Sequence, residues 1–236
     1  MMKSRLITLI TILVLAGTQL LVAQGSLKRD VSAFTEISLR ISVKVHLKQG
    51  NTQSVEVKGK EATLDKLITE VSDRKLVIRY PNDAWFSKWS PGPVDVYVTM
   101  PQIDGLTVSG SGSIISDGEI ASRILDVNLS GSGDVKLTEL KVEKLSATIS
   151  GSGNINLTGK QNAAEFKAVI SGSGNIKATG FPAENVDVKI VGAGNSWVNA
   201  VKVLYVRIAG SGNVTYKGNP SVDSSIAGSG KVKEEK

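Results

Sequence analysis

The chain of 236 residues contains no cysteine and a single histidine. Without cysteine there are no disulfides, no thiol catalysis, no cysteine metal site and no lipidated cysteine at a processing point. An exported protein so composed must draw its stability from packing and backbone hydrogen bonds. His46 has no histidine or cysteine companion, so a transition-metal site or a nucleophilic triad is not expected. On its alternating strand His46 lies opposite Val45 and Leu47 and is expected to face solvent. Charge of one sign is also sparse. The formal charge is +6, and no basic cluster is dense enough for nucleic acid.

Long apolar runs are absent after the first residues. Lys3 and Arg5 precede an apolar run from Leu6 to Val22, softened by Gly17, Thr18 and Gln19, and Ala23 suits a cleavage site. Residues 1–23 therefore read as an export signal. An uncleaved membrane anchor is the rival reading, since the run has the length for it. Removing residues 1–23 takes away two basic residues, leaving 26 − 22 = +4.

What the chain has in quantity is glycine in a fixed pattern. A Gly-x-Gly tripeptide recurs at Gly110–Gly112, Gly131–Gly133, Gly151–Gly153, Gly172–Gly174, Gly192–Gly194, Gly210–Gly212 and Gly228–Gly230. The central residue is serine in all but one copy, where it is Ala193, and the intervals are 21, 20, 21, 20, 18 and 18 residues. A turn recurring about every 20 residues is the signature of a solenoid.

Alternating apolar residues precede each tripeptide, as in Leu125, Val127 and Leu129, or Phe166, Ala168 and Ile170. A second short strand follows, with Ile114, Val135, Ile155, Ile176, Val214 and Val232 expected inward. Period two means one buried and one wet face. Such a unit cannot bury its own apolar face, so equivalent strands must stack in register. The expected fold is all-β, a right-handed parallel β-helix with about 20 residues per coil, seven repeats making a rod of roughly 30 Å.

Glycine supplies the φ > 0 that a sharp corner needs, and a tight corner has little room for a Cβ. On this account Gly153→Val is expected to destabilise the protein. The residue after the second glycine is Asp134, Asn154, Asn175, Asn195 and Asn213 in successive copies, which can form a ladder between coils.

Residues 30–105 differ from the regular repeats at 106–236 and read as irregular first coils and a cap over the open end. Ile37 to Leu47 reads as one long alternating strand, and Ala62 to Ile68 as a helical turn or two. At the other end Lys231, Lys233, Glu234, Glu235 and Lys236 place charges where another chain could add.

A sugar-cleaving β-helix needs grouped carboxylates. The position five before the first glycine reads Asp126, Ser146, Lys167, Asp187, Tyr205 and Asp223 along the stack, so acids there are never adjacent. No phosphate loop follows the tripeptides, and no calcium-binding nonapeptide pattern occurs. Trp85, Phe86 and Trp89 share a stretch with Pro91 and Pro93 and form the candidate contact surface, or else a lid on the core. At Trp197 the repeat breaks, with Ser196 in an apolar place, so a bulge or an exposed tryptophan is expected.

Val98 to Pro101, the repeated Ser-Gly-Ser-Gly-Asn-Ile at Ser150–Ile155 and Ser171–Ile176, and Ala209–Val214 followed by Tyr216, Gly218 and Pro220 together resemble the auto-transporter adhesin head GIN domain family of Bacteroidetes. The resemblance covers about residues 34–234 and implies a single-stranded right-handed β-helix on exported proteins. The sequence stops at Lys236 without an outer-membrane barrel, so periplasm and cell surface or outer membrane both stand as expected locations. The expected function is a non-enzymatic, adhesin-like binding or structural module without cofactor or metal. Its partner would be a protein or glycan of the envelope, and oligomers are possible. The rivals are a polysaccharide-binding or polysaccharide-degrading β-helix, in which Asp126, Asp187 or Asp95 would converge, and a self-assembling scaffold.

Overall fold

A computed structural model describes residues 25–81 and 90–235. The chain is a β-solenoid of about 20 residues per turn, as its glycine spacing predicts. Its N-terminal part holds β1 (Gly25–Arg29), β2 (Glu36–Leu39), β3 (Lys44–Gln49), β4 (Ser54–Gly59), the single-turn helix α1 (Glu61–Leu64), β5 (Ile68–Ser72), β6 (Lys75–Arg79) and β7 (Val94–Met100). The repeats supply β8 (Gly105–Gly110), β9 (Ser113–Ser116), β10 (Ile120–Gly131), β11 (Asp134–Gly151), β12 (Asn154–Gly159), β13 (Ala163–Gly172), β14 (Asn175–Gly192), β15 (Asn195–Gly210), β16 (Asn213–Lys217), β17 (Ser221–Gly228) and β18 (Lys231–Glu234).

Coils stack strictly in parallel, and the apolar alternation sets their register. Leu125 sits over Leu145, which sits over Phe166, Val186, Leu204 and Val222 in turn. The inward triplets of β10 to β15, from Leu125 to Ile208, are all buried. Burial of such a side chain is worth about 1.5–3 kcal/mol, so a continuous aliphatic column can stabilise a chain that has no disulfide. Phe166 and Phe181 meet edge to face inside it at 5.5 Å.

The two glycines of each corner are glycine for different reasons. The first, from Gly110 to Gly228, has φ between +111° and +136°. The second does not lie in that region, which corrects the expectation that left-handed backbone explains Gly153. There a Cβ would stand 2.3 Å from the carbonyl oxygen of Gly133 in the preceding coil. The corner carbonyls are used twice over. Gly131 O, for example, accepts from the amides of Ser152 and Gly153 at 2.9 and 3.1 Å.

A second corner row lies six residues after the second glycine, at Gly118, Glu139, Gly159, Gly180, Ala200 and Gly218. Gly118 and Gly218 have φ of +101°, and Glu139 holds the same hand at +56°. The turn motif drew attention to the tripeptides alone and hid this row, although its glycines recur at a constant offset.

The long alternating strand expected over Ile37 to Leu47 is two strands, β2 and β3, with a corner at residues 40–43. Val43 O accepts from Ser113 N at 2.9 Å, and Ile41 O closes over Gly112. This pair is therefore a coil whose corner contains no glycine, so the motif did not reveal it. β2 pairs with both β6 and β8, and β3 with both β7 and β9, so the coil first in sequence is second in the stack. Beyond it the end is sealed by antiparallel strands, β5 on β6, β4 on β7 and β1 on β4. Leu64 and Leu67 plug the core there, and Arg29 donates from its guanidinium to the Leu64 and Leu67 carbonyls at 2.6 and 3.3 Å.

Candidate functional surface

Strand pleating after the glycine corner turns every second residue outward, and in-register stacking aligns these into rows. One row runs Asp95, Lys44, Ser113, Asp134, Asn154, Asn175, Asn195, Asn213 and Lys231. Its neighbour runs Tyr97, His46, Ile115, Lys136, Asn156, Lys177, Trp197, Thr215 and Lys233. At about 4.8 Å per coil, nine positions span roughly 38 Å.

The first row contains the expected ladder. Asn154 Nδ2 donates to Asp134 Oδ1 at 2.9 Å, Asn175 to Asn154 at 3.1 Å, Asn195 to Asn175 at 3.2 Å and Asn213 to Asn195 at 3.0 Å. The amides all point the same way because Asp134, an acceptor only when ionised, begins the chain. Each internal asparagine spends one donor and one acceptor on the ladder, leaving a second N–H and a lone pair per coil for solvent or a ligand.

The second row carries the rings. Trp197 is half-buried with Lys177 Nζ 5.7 Å from its ring centre, within the range of a weak cation–π contact. Trp197 itself is in register on both sides, from Asn195 to Asn199 against β16 and from Asn195 to Val198 against β14, so the bulge expected there does not form; the irregularity falls beyond it, where β14 loops out between Ala178 and Pro182. Ser196 keeps the inward place between Ile176 and Val214, fully buried, its Oγ without a hydrogen-bond partner.

At the N-terminal end of this face His46 does point outward, but it is not free. Nε2 lies 3.1 Å from Asp95 Oδ1 and Nδ1 lies 3.7 Å from Asp117 Oδ2. Its ring stacks on Tyr97 at 4.7 Å with 10° between planes, and Lys58 Nζ sits 4.4 Å from the Tyr97 ring centre. Nearby, Glu56 is held below the usual carboxylate range chiefly by the Ser26 hydroxyl, which outweighs desolvation, with further lowering from Lys58 and Lys28. The two carboxylates approach opposite nitrogens of one ring, a clamp across three coils rather than a shared metal pocket. Among the described residues no group of three or more acids or histidines is placed to hold a metal ion.

Asp126 and Asp187 lie three coils apart, separated by Ser146 and Lys167 as the repeat arithmetic requires, while Asp95 belongs to the face across the corner. The structure does not bring the three together. Trp85, Phe86 and Trp89 lie outside the described residues, between β6 and β7 in sequence. The Trp197 row is not evident from the buried positions of the repeat, which carry its strongest periodicity. The signal was present in the residue between successive inward apolar ones.

The molecule is thus defined as a β-solenoid with one long polar-aromatic outer face. The chain belongs to the family described as "Putative auto-transporter adhesin, head GIN domain", whose model matches residues 33–220. Among solved structures it is similar to a putative adhesin from Bacteroides fragilis, with 22% identity, a TM-score of 0.82, and coverage of 90% of this chain and 97% of that one. A putative lipid binding protein from Parabacteroides distasonis is similar at 24% identity and a TM-score of 0.74, with the same coverage. A putative adhesin from Parabacteroides merdae follows at 23% identity and 0.69, covering 90% and 96%. These likenesses concern the fold. No curated protein matches the chain.

Proposed function

We propose that the protein is a non-enzymatic, adhesin-like binding module of the cell envelope, exported by the signal at residues 1–23, and that it binds through the face bearing the asparagine ladder and the Trp197 row. The observation that supports this reading is the pairing of the two rows. One offers unspent amide donors and acceptors on the four successive coils of Asn154, Asn175, Asn195 and Asn213, the other offers Lys136, Lys177, Trp197 and Lys233 along the same stack. An extended ligand with repeating hydroxyl or acidic groups matches such a face, because amides bond to hydroxyls and a ring stacks on an apolar sugar face. A glycan of the envelope is the partner class that fits. The wide separation of Asp126 and Asp187 favours binding over glycosidic cleavage, which needs two carboxylates within about 10 Å.

A glycan array probed with residues 24–236 tests this, beside a Lys177→Ala, Trp197→Ala double variant and the Trp85→Ala, Trp89→Ala pair. Binding lost in the first variant is the expected result. Binding lost only in the second would move the site to the segment between β6 and β7.

A further inference from the structure

The two ends of the solenoid differ. At the N-terminal end the inward residues Leu76, Ile78 and Val96 are 0% exposed under the antiparallel cap and the α1 plug. At the C-terminal end the inward residues of β17 are Val222 and Ile226, 39% and 40% exposed, with Ser224 between them. All eight residues of β17 are exposed. Among the described residues β17 pairs only with β15, so its other edge presents unpaired backbone groups. A terminal repeat of a solenoid normally carries a polar outer face. Here the apolar positions of the interior continue to the last coil.

We infer that two copies of this chain join tail to tail through β17, related by a two-fold axis at Ser224. Antiparallel pairing about Ser224 sets Val222 opposite Ile226 of the second copy, and Ile226 opposite its Val222, both facing the shared core. Asp223, the one charged residue of β17, falls opposite Ser225, so no like charges face each other within the β17 ladder. Each strand gains a backbone ladder, and both apolar columns become one. The sealed N-terminal ends stop growth at two, because the contact uses the same patch on both copies and closes on itself. Of the exposed large apolar residues among the described ones, the capped end contributes Leu27 alone.

The test uses residues 24–236, whose described part is one packed unit. Sedimentation equilibrium should give twice the chain mass, and Ile226→Lys should halve it without lowering the melting temperature. The absence of native cysteine permits a second readout. Ser224→Cys should form a disulfide-linked dimer under mild oxidation, since the residue meets itself across the axis, whereas Ser72→Cys on the edge of the capped end should not. The linkage readout holds even if Ile226→Lys fails to fold. A monomer at about 100 µM, well above the Kd of an interface of ordinary size, would overturn the inference. So would assemblies larger than two, or linkage through Ser72→Cys instead.

Discussion

At the residue scale, the corner glycines separate strain from crowding. Gly110 has φ of +111° but nothing within 4 Å of its would-be Cβ, whereas Gly151 has φ of +136° and the Gly131 oxygen at 2.4 Å. Gly110→Ala should therefore cost about 1–2 kcal/mol, the strain of left-handed backbone alone. Gly151→Ala should cost more, about 3 kcal/mol or above, since the coils must also part. Urea unfolding of the two variants decides it, and equal losses would remove crowding from the explanation. Gly153→Val should likewise destabilise, through the contact with Gly133 and not through φ. Ser196 is the opposite case, a buried hydroxyl without a partner between Ile176 and Val214. Ser196→Val should raise stability by about 1 kcal/mol, because it removes an unpaired polar group and fills an apolar column. A fall in melting temperature would mean that the hydroxyl is satisfied in solution.

At the scale of the element, the ladder ties coils together where backbone pairing already does so, which makes its contribution measurable as an increment. Asn175 both donates to Asn154 and accepts from Asn195. Asn175→Ala should cost about 1–2 kcal/mol, two hydrogen bonds partly replaced by water. No change in the unfolding midpoint would show the ladder to be structurally idle and free for ligand. The ladder and the buried triplets were legible in the sequence because identical coils repeat the same residue at the same place. The β2–β3 corner was not, because its turn at residues 40–43 uses no glycine and alternation runs unbroken through it. Trp197 misled for a related reason. A serine in an apolar place looked like a break in register, yet the flanking pairs Asn195–Asn213 and Val198–Tyr216 hold the strand in line.

At the scale of the whole molecule, in-register stacking turns a short motif into a surface. A residue that looks isolated in sequence, such as Lys177, Trp197 or Tyr97, acquires neighbours every 20 residues along the chain. The glycine interval made the solenoid readable, but the stacking order at the N-terminal end was not, since β6 and β7 come later in sequence and lie outside β2 and β3. One face of the solenoid binds and the other does not. Binding of residues 24–236 to its best array glycan should be measured by biolayer interferometry for two matched double variants. One is Lys177→Ala, Trp197→Ala on the ladder face. The other is Lys189→Ala, Arg207→Ala on the face before the corner, where the two are register partners. The first variant should lose at least about tenfold in affinity, the equivalent of 1.4 kcal/mol, and the second nothing. Full binding by the first variant, or loss in the second, would contradict this.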